Sequence, residues 1–120
     1  MVLRCLIVDD SPRFVEAARA LLESQGVQIA AVATTGDEAV RACRRLAPDV
    51  ILLDIELGDE SGFEVARRLA GADKPSPVIL ISTHTEPEYR DLIAESPVIG
   101  FVSKVEVSAA AIRDLLTASN

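Results

Sequence analysis

Val50-Ile51-Leu52-Leu53-Asp54 sets four large apolar residues side by side and ends abruptly on a carboxylate. A run this short, β-branched at its start and without polar alternation, predicts a strand covered on both faces, in the middle of a parallel sheet. Asp54 then stands at the carboxyl end of that strand. In open parallel α/β sheets ligands bind in the crevice beyond those ends, so a carboxylate there is a candidate for chemistry.

The flanking segments supply the rest of such a sheet. Leu3 to Val8 is an apolar run that closes on Asp9-Asp10-Ser11-Pro12, after which the pattern turns helical. Ser11 is placed to cap that helix, with Pro12 at its first position, where a missing N–H costs nothing. Phe14, Ala18, Leu21 and Leu22 are expected on its inner face. Gln25-Gly26 ends it, and the more polar Val27 to Val32 reads as an edge strand. Thr35-Gly36-Asp37-Glu38 has capping-box spacing and opens a second helix through Leu46, stopped by Pro48.

Beyond Asp54, Gly58 to Gly62 reads as a loop. Ser61 to Glu64 repeats the capping-box spacing before a helix with Phe63, Ala66, Leu69 and Ala70 inward. Val78-Ile79-Leu80-Ile81 is a second unbroken apolar strand, ending on Ser82-Thr83-His84. Thr85 with Glu88 predicts a short helix to Ala94, with Pro87 in its tolerant first turn. Val98 to Val102 is the fifth strand and ends near Lys104, and Ser108 caps a last helix with Ile112, Leu115 and Leu116 inward. Strands alternating with helices in this way predict right-handed crossovers and a three-layer α/β sandwich.

The chain of 120 residues is sized for one domain, 1–120, with a core that needs no staples. Its 19 acidic against 12 basic residues, net charge -7, argue against general affinity for nucleic acid or an anionic membrane. No apolar run approaches the ~18 residues of a membrane span. The amino terminus shows no signal-peptide pattern, so a cytoplasmic location is expected. Cys5 and Cys43 lie in core-like positions without ligand spacing and are expected as reduced core thiols.

The strand ends collect Asp9, Asp10, Asp54, Ser82 and Lys104. Three carboxylates so close repel, and an oxygen-only set of this kind calls for Mg²⁺. Glycine-rich phosphate cradles, GxGxxG or GxxxxGK[ST], are absent, which disfavours a dinucleotide or P-loop site. A carboxylate can itself attack phosphorus, and it then needs a metal and a cation to neutralise the equatorial oxygens. Asp54, Mg²⁺ and Lys104 would do this. Taken singly, Asp9-Asp10-Ser11-Pro12 reads as an ordinary capped turn and His84 as a loop residue, while Phe101 reads equally as a static core aromatic or as a moving one.

Together, Leu6-Ile7-Val8-Asp9-Asp10, Asp54-Ile55-Glu56-Leu57 followed by Gly62, Ser82, and Gly100-Phe101-Val102-Ser103-Lys104 resemble the receiver domain of two-component response regulators over essentially the whole chain. The resemblance implies a flavodoxin-like fold with strand order 2-1-3-4-5, and transfer of a phosphoryl group to Asp54 from a phosphohistidine on a sensor kinase or phosphotransfer protein. It implies Mg²⁺ held by Asp10, by Asp9 through water, by Asp54 and by the Glu56 carbonyl, with Lys104 on the phosphoryl group. It further implies that Ser82 moves toward a phosphoryl oxygen and Phe101 rotates into the space left. The face of the fourth helix, fifth strand and fifth helix would thereby change for a downstream protein effector, and the same face is a candidate for homodimer contacts. Glu56 and His84 are implied to tune hydrolysis.

Two positions depart from the family pattern. Val105 follows Lys104 where a proline in a cis bond is common, so a trans and differently shaped loop is expected. Gly58 stands where proline is frequent, which loosens the loop and suggests an altered phosphoryl lifetime. The expected role is a stand-alone receiver, or the receiver of a longer regulator, with no enzymatic activity beyond phosphorylation and dephosphorylation of Asp54. The competing readings are an Mg²⁺-dependent phosphohydrolase with an aspartyl-phosphate intermediate, and a degenerate receiver that binds partners without phosphorylation.

Overall fold

A computed structural model of the chain describes residues 2–84 and 86–119. The strands of its main sheet are β1 (Arg4–Val8), β2 (Gln28–Ala33), β3 (Val50–Asp54), β4 (Val78–Ser82) and β5 (Gly100–Ser103). All pair in parallel, in the order β2-β1-β3-β4-β5. The helices are α1 (Pro12–Ser24), α2 (Gly36–Leu46), α3 (Gly62–Ala70), α4 (Glu86–Ala94) and α5 (Ala109–Ala118). This is the expected sheet order, with the expected edge strand at β2.

The unalternating strands are indeed the covered ones: every residue of β3 and β4 is buried. Their side chains still alternate between two cores. Leu6, Val8, Ile51, Leu53 and Leu80 point to one face, where α2 and α3 contribute Ala39, Ala42, Phe63, Val65, Ala66 and Leu69. Ile7, Leu52, Ile79 and Ile81 point to the other, where α1 and α5 contribute Ala18, Leu22 and Ile112. Full burial of each such aliphatic side chain favours the folded chain by about 1.5–3 kcal/mol. Cys5 and Cys43 are free thiols within these cores, and burial pushes the Cys5 thiol up to about 12, which makes it inert.

Local signals start the helices as expected. Ser11 Oγ accepts from Phe14 N–H at 3.3 Å, Thr35 Oγ1 from Glu38 N–H at 3.2 Å, and Ser108 Oγ from Ala111 N–H at 3.0 Å. Ser61 instead accepts from Phe63 N–H at 3.2 Å, and Glu64 turns away to pair with Arg67. The expected cap at Thr85 lies outside the described residues. The chain leaves α2 through Ala47 in the left-handed region at φ 45, with Arg4 Nη1 donating to its carbonyl at 3.2 Å. Among the described residues no helix is long and apolar enough to cross a membrane.

Four details differ from the sequence reading. Leu21 is 42% exposed, because the inner stripe of α1 runs through Ala18 and Leu22 and leaves Leu21 on its flank. Ala70 is exposed in the last turn of α3, while Val65 is buried. The fifth strand starts at Gly100 rather than Val98 and gives way at Lys104 to a 3₁₀ turn, Lys104–Glu106. The stretch after Asp54 is not a plain loop: Glu56–Leu57 pairs antiparallel with Glu60–Ser61, and Gly58 turns the ribbon at φ 58. Strands of two residues carry no periodicity to read.

This ribbon holds α3 against the end of β3. Gly62 N–H donates to the Ile55 carbonyl at 2.7 Å, and a Cβ on Gly62 would stand 2.7 Å from Ile55 Cα and press on the Asp54 carbonyl. Only glycine fits. Gly62→Ala is therefore expected to destabilise the fold by about 1–3 kcal/mol, read as a lower urea midpoint. Gly71→Ala is the control: a Cβ there meets backbone no nearer than 3.5 Å, so stability should hold or rise by about 0.5 kcal/mol.

Candidate functional site

Parallel pairing brings the carboxyl ends of the strands to one rim. Val8 is level with Leu53, Asp54 with Ile81, and Ser82 with Ser103, so these strands end together, with Asp9 directly after Val8. Asp9, Asp54 and Ser82 are the buried polar residues there. Asp9, Asp10 and Asp54 each offer an oxygen within 4.8 Å of the others.

Lys104 enters this group from the end of β5. Its ammonium lies 2.8 Å from Asp9 Oδ2 and 3.2 Å from Asp54 Oδ2, and only 10% of its side chain is exposed. The Lys104–Val105 peptide is trans, as expected, and the lysine reaches the carboxylates without a following proline. Backbone donors fix the other oxygens: Ser11 N–H donates to Asp9 Oδ1 at 2.8 Å and Glu56 N–H to Asp54 Oδ1 at 3.0 Å. Each carboxylate thus has one oxygen held by the backbone and one facing the ammonium.

Burial pushes the Asp54 carboxyl above its ordinary value, and the Asp9 charge adds to this. The Glu56 N–H and the Lys104 ammonium oppose the rise without cancelling it. Lys104 shows the mirror balance. Burial works against its charge, but hydrogen bonding and attraction from Asp9 and Asp54 outweigh that and hold the ammonium above its ordinary value. Three carboxylates and one ammonium leave two negative charges unbalanced. Asp9 Oδ2 has no well-directed hydrogen bond beyond its ion pair, and Asp10 is exposed at the mouth. An oxygen-only set with that residual charge fits a hard divalent cation.

The remaining predicted residues ring this centre. Ser82 ends β4 fully buried, its Oγ accepting from His84 N–H at 3.0 Å. Phe101 is half-buried on β5 and packs against the core beneath α4. The Glu56 carboxylate points outward, with its Oε1 3.3 Å from His84 Nδ1. The same oxygen accepts from Tyr89 Oη at 2.8 Å, and this bond, with burial a lesser cause, pushes the tyrosine hydroxyl up to about 12. Tyr89 also meets the Phe63 ring at a centroid distance of 5.9 Å.

Two neighbours escaped the sequence reading. Tyr89 lies in a helix whose pattern is weak, and nothing local links it to Glu56. Phe14 packs against the core as expected, and its ring also lies 4.6 Å from Lys104 Nζ. That contact joins residues 90 positions apart (104 − 14), and no spacing rule reveals it.

The raised Asp54 carboxyl makes the stability of the fold depend on pH. A carboxyl whose folded-state value exceeds its ordinary 3.8 gives its full contribution below 3.8 and loses it as pH rises through the folded value. Asp54→Asn, which cannot ionise, should therefore stabilise the ion-free protein at pH 7, a gain that fades toward pH 3. Urea unfolding in chelator across that pH range checks this.

A family model described as response regulator receiver domain matches residues 5–117. The DNA-binding transcriptional activator EvgA of Escherichia coli is 30% identical over 104 residues, which cover 87% of this chain and 51% of that protein. A protein-glutamate methylesterase/protein-glutamine glutaminase of Mesorhizobium japonicum is 38% identical over 91 residues, 75% of this chain and 26% of that one. The chain thus spans about half the length of the activator and about a quarter of the methylesterase. Among solved structures, a LuxR-family two-component response regulator from Aurantimonas sp. SI85-9A1 superposes with a TM-score of 0.87 at 26% identity, over 98% of this chain and 87% of that one. With this family match over a flavodoxin-like sheet and an acidic crevice at its strand ends, the chain belongs to the response regulator receiver domains, a family of phosphorylation-dependent signalling modules.

Proposed function

We propose that residues 1–120 act as one receiver domain in which Asp54 accepts a phosphoryl group from the phosphohistidine of a sensor kinase or phosphotransfer protein. The observation that carries this reading is the pairing of Lys104 Nζ with Asp54 Oδ2 at 3.2 Å, beside the Asp9 and Asp10 carboxylates. An Asp54 oxygen attacks phosphorus. The bond to the donor imidazole breaks, its nitrogen leaves with the bonding pair, and an acyl phosphate forms on Asp54. Glu56 N–H holds Oδ1, and so turns Oδ2 toward the incoming group.

Asp9, Asp10, Asp54 and the Glu56 backbone carbonyl are the residues that would hold Mg²⁺, with water between Asp9 and the ion. When bound, the ion supplies positive charge that offsets the charge on the phosphoryl oxygens. Lys104 supplies the other positive charge. Its departure from Asp54 Oδ2 toward a phosphoryl oxygen is short, because burial and the Asp9 pair already hold it at the site.

Ser82 is the reporter in this reading. Its Oγ now accepts from His84 N–H, and among the described residues its hydroxyl donates to none, so in this reading it donates to a phosphoryl oxygen. A shift of Ser82 toward Asp54 frees space for Phe101, and the α4-β5-α5 face changes for a protein effector or a second copy of the chain. Glu56 and His84 stand at the mouth, where they limit the approach of hydrolytic water and so set the phosphoryl lifetime. No reaction beyond phosphorylation and dephosphorylation of Asp54 is assigned to the domain.

Intact-protein mass spectrometry after incubation with acetyl phosphate tests the core of this. Wild type should gain one phosphoryl group only with Mg²⁺, and Asp54→Asn should gain none. No gain by wild type under any condition would move the reading to phosphorylation-independent binding, and sustained turnover of a phosphomonoester would move it to a phosphohydrolase. Asp10→Ala should raise the Mg²⁺ concentration for half-maximal phosphorylation by tenfold or more, a magnitude on the order of losing one charged ligand. Lys104→Ala should slow phosphorylation by about 10²-fold, as for other lost donors to developing negative charge.

A further inference from the structure

We propose that Phe14 is a positioning residue for Lys104, fixing its ammonium through the face of the aromatic ring both before and after the phosphoryl group arrives. The inference rests on the role given to Lys104 above, and it adds a residue to that role.

Three groups surround the Lys104 ammonium: Asp9 Oδ2 at 2.8 Å, Asp54 Oδ2 at 3.2 Å and the Phe14 ring, its centroid at 4.6 Å. The two carboxylates change character in the reaction. Asp54 becomes an acyl phosphate, and Asp9 faces the divalent ion. The ring alone stays constant. Its quadrupole attracts the ammonium from within about 6 Å, and it presents no hydrogen-bond acceptor to compete with a phosphoryl oxygen.

The backbone around the lysine gives little restraint of its own. Lys104 opens a single 3₁₀ turn, Ser103 provides no side-chain cap, and the following Val105 is 90% exposed. Phe14 is the better-anchored partner. Its N–H donates to Ser11 Oγ in the first turn of α1, and that helix is fastened to the sheet through Ala18 and Leu22. Ser11 N–H in turn donates to Asp9 Oδ1, so one capped helix start positions both the aromatic wall and the carboxylate on which the lysine rests.

The test keeps the shape of the ring and removes its quadrupole. Phe14 is replaced by mono-, di- and trifluorophenylalanine, and by Leu and Tyr, in the full chain. Phosphorylation by acetyl phosphate is followed together with Lys104 ε-methylene shifts and ammonium proton exchange in ion-free protein. The maximal phosphorylation rate should fall stepwise with fluorination, by about 3- to 10-fold for the trifluoro variant, while half-saturation by Mg²⁺ holds. Phe14→Leu should match the trifluoro variant, Phe14→Tyr should stay near wild type, and the ring-current shift at Lys104 should vanish in Phe14→Leu. A rate flat across the fluorine series, or a Leu variant as fast as wild type, overturns the proposal. If wild type takes up no phosphoryl group, the functional reading fails by itself. The positioning role is then decided by ammonium exchange, faster with each fluorine if the ring holds the lysine and unchanged if it does not.

Discussion

Two buried carboxylates and one ammonium at the rim of the sheet make the constraint on which the site depends. Lys104 lies between the Asp9 and Asp54 carboxylates, and hydrogen bonding and attraction from both hold its ammonium above its ordinary value although burial works against the charge. The ammonium in turn opposes, without cancelling, the rise that burial imposes on the Asp54 carboxyl. Asp10 adds a further negative charge at the mouth, and the balance left over is that of a divalent cation. A further anionic group can enter a site built this way only when extra positive charge arrives with it.

Everything that brings these groups together is backbone architecture. β1, β3 and β5 enter the rim at different points in the chain, and only parallel pairing in the order β2-β1-β3-β4-β5 delivers Asp9, Asp54 and Lys104 to one place. Backbone N–H groups of Ser11 and Glu56 then orient the two carboxylates. The short ribbon after Asp54 and the close approach of Gly62 to Ile55 keep the start of α3 against the strand end, so the Glu56 N–H is aimed by a turn that leaves no room for a side chain at position 62. Stability and chemistry meet at that contact. The Glu56 carboxylate, free to point outward, ties this turn to α4 through Tyr89 and His84.

Much of the fold could be read along the chain, for a physical reason. Short unbroken apolar runs with β-branched starts at Val50–Leu53 and Val78–Ile81 suit strands covered on both faces, and Ser11, Thr35 and Ser108 are side chains that satisfy open N–H groups where a helix begins. The readings that failed concern smaller energies. Leu21 and Ala70 lie at the flanks of their helices, where a modest change in helix rotation decides between burial and solvent. The ribbon at Glu56–Ser61 is too short for periodicity, and the end of β5 at Lys104 is set by its turn.

For the site, the sequence by itself determined which groups stand at strand ends: a carboxylate after β3, an acidic pair after β1, a hydroxyl after β4 and a lysine after β5. Each follows from local pattern, because an apolar run that breaks on a polar residue marks the carboxyl end of its strand. Tertiary structure alone decided which oxygen of each carboxylate faces the ammonium, that Lys104 reaches both Asp9 and Asp54 without a proline after it, and that Phe14 and Tyr89 belong to the neighbourhood. Those contacts lie between elements far apart in the chain. Their distances are set by how helices seat on the sheet, and a linear pattern of side chains carries no record of that.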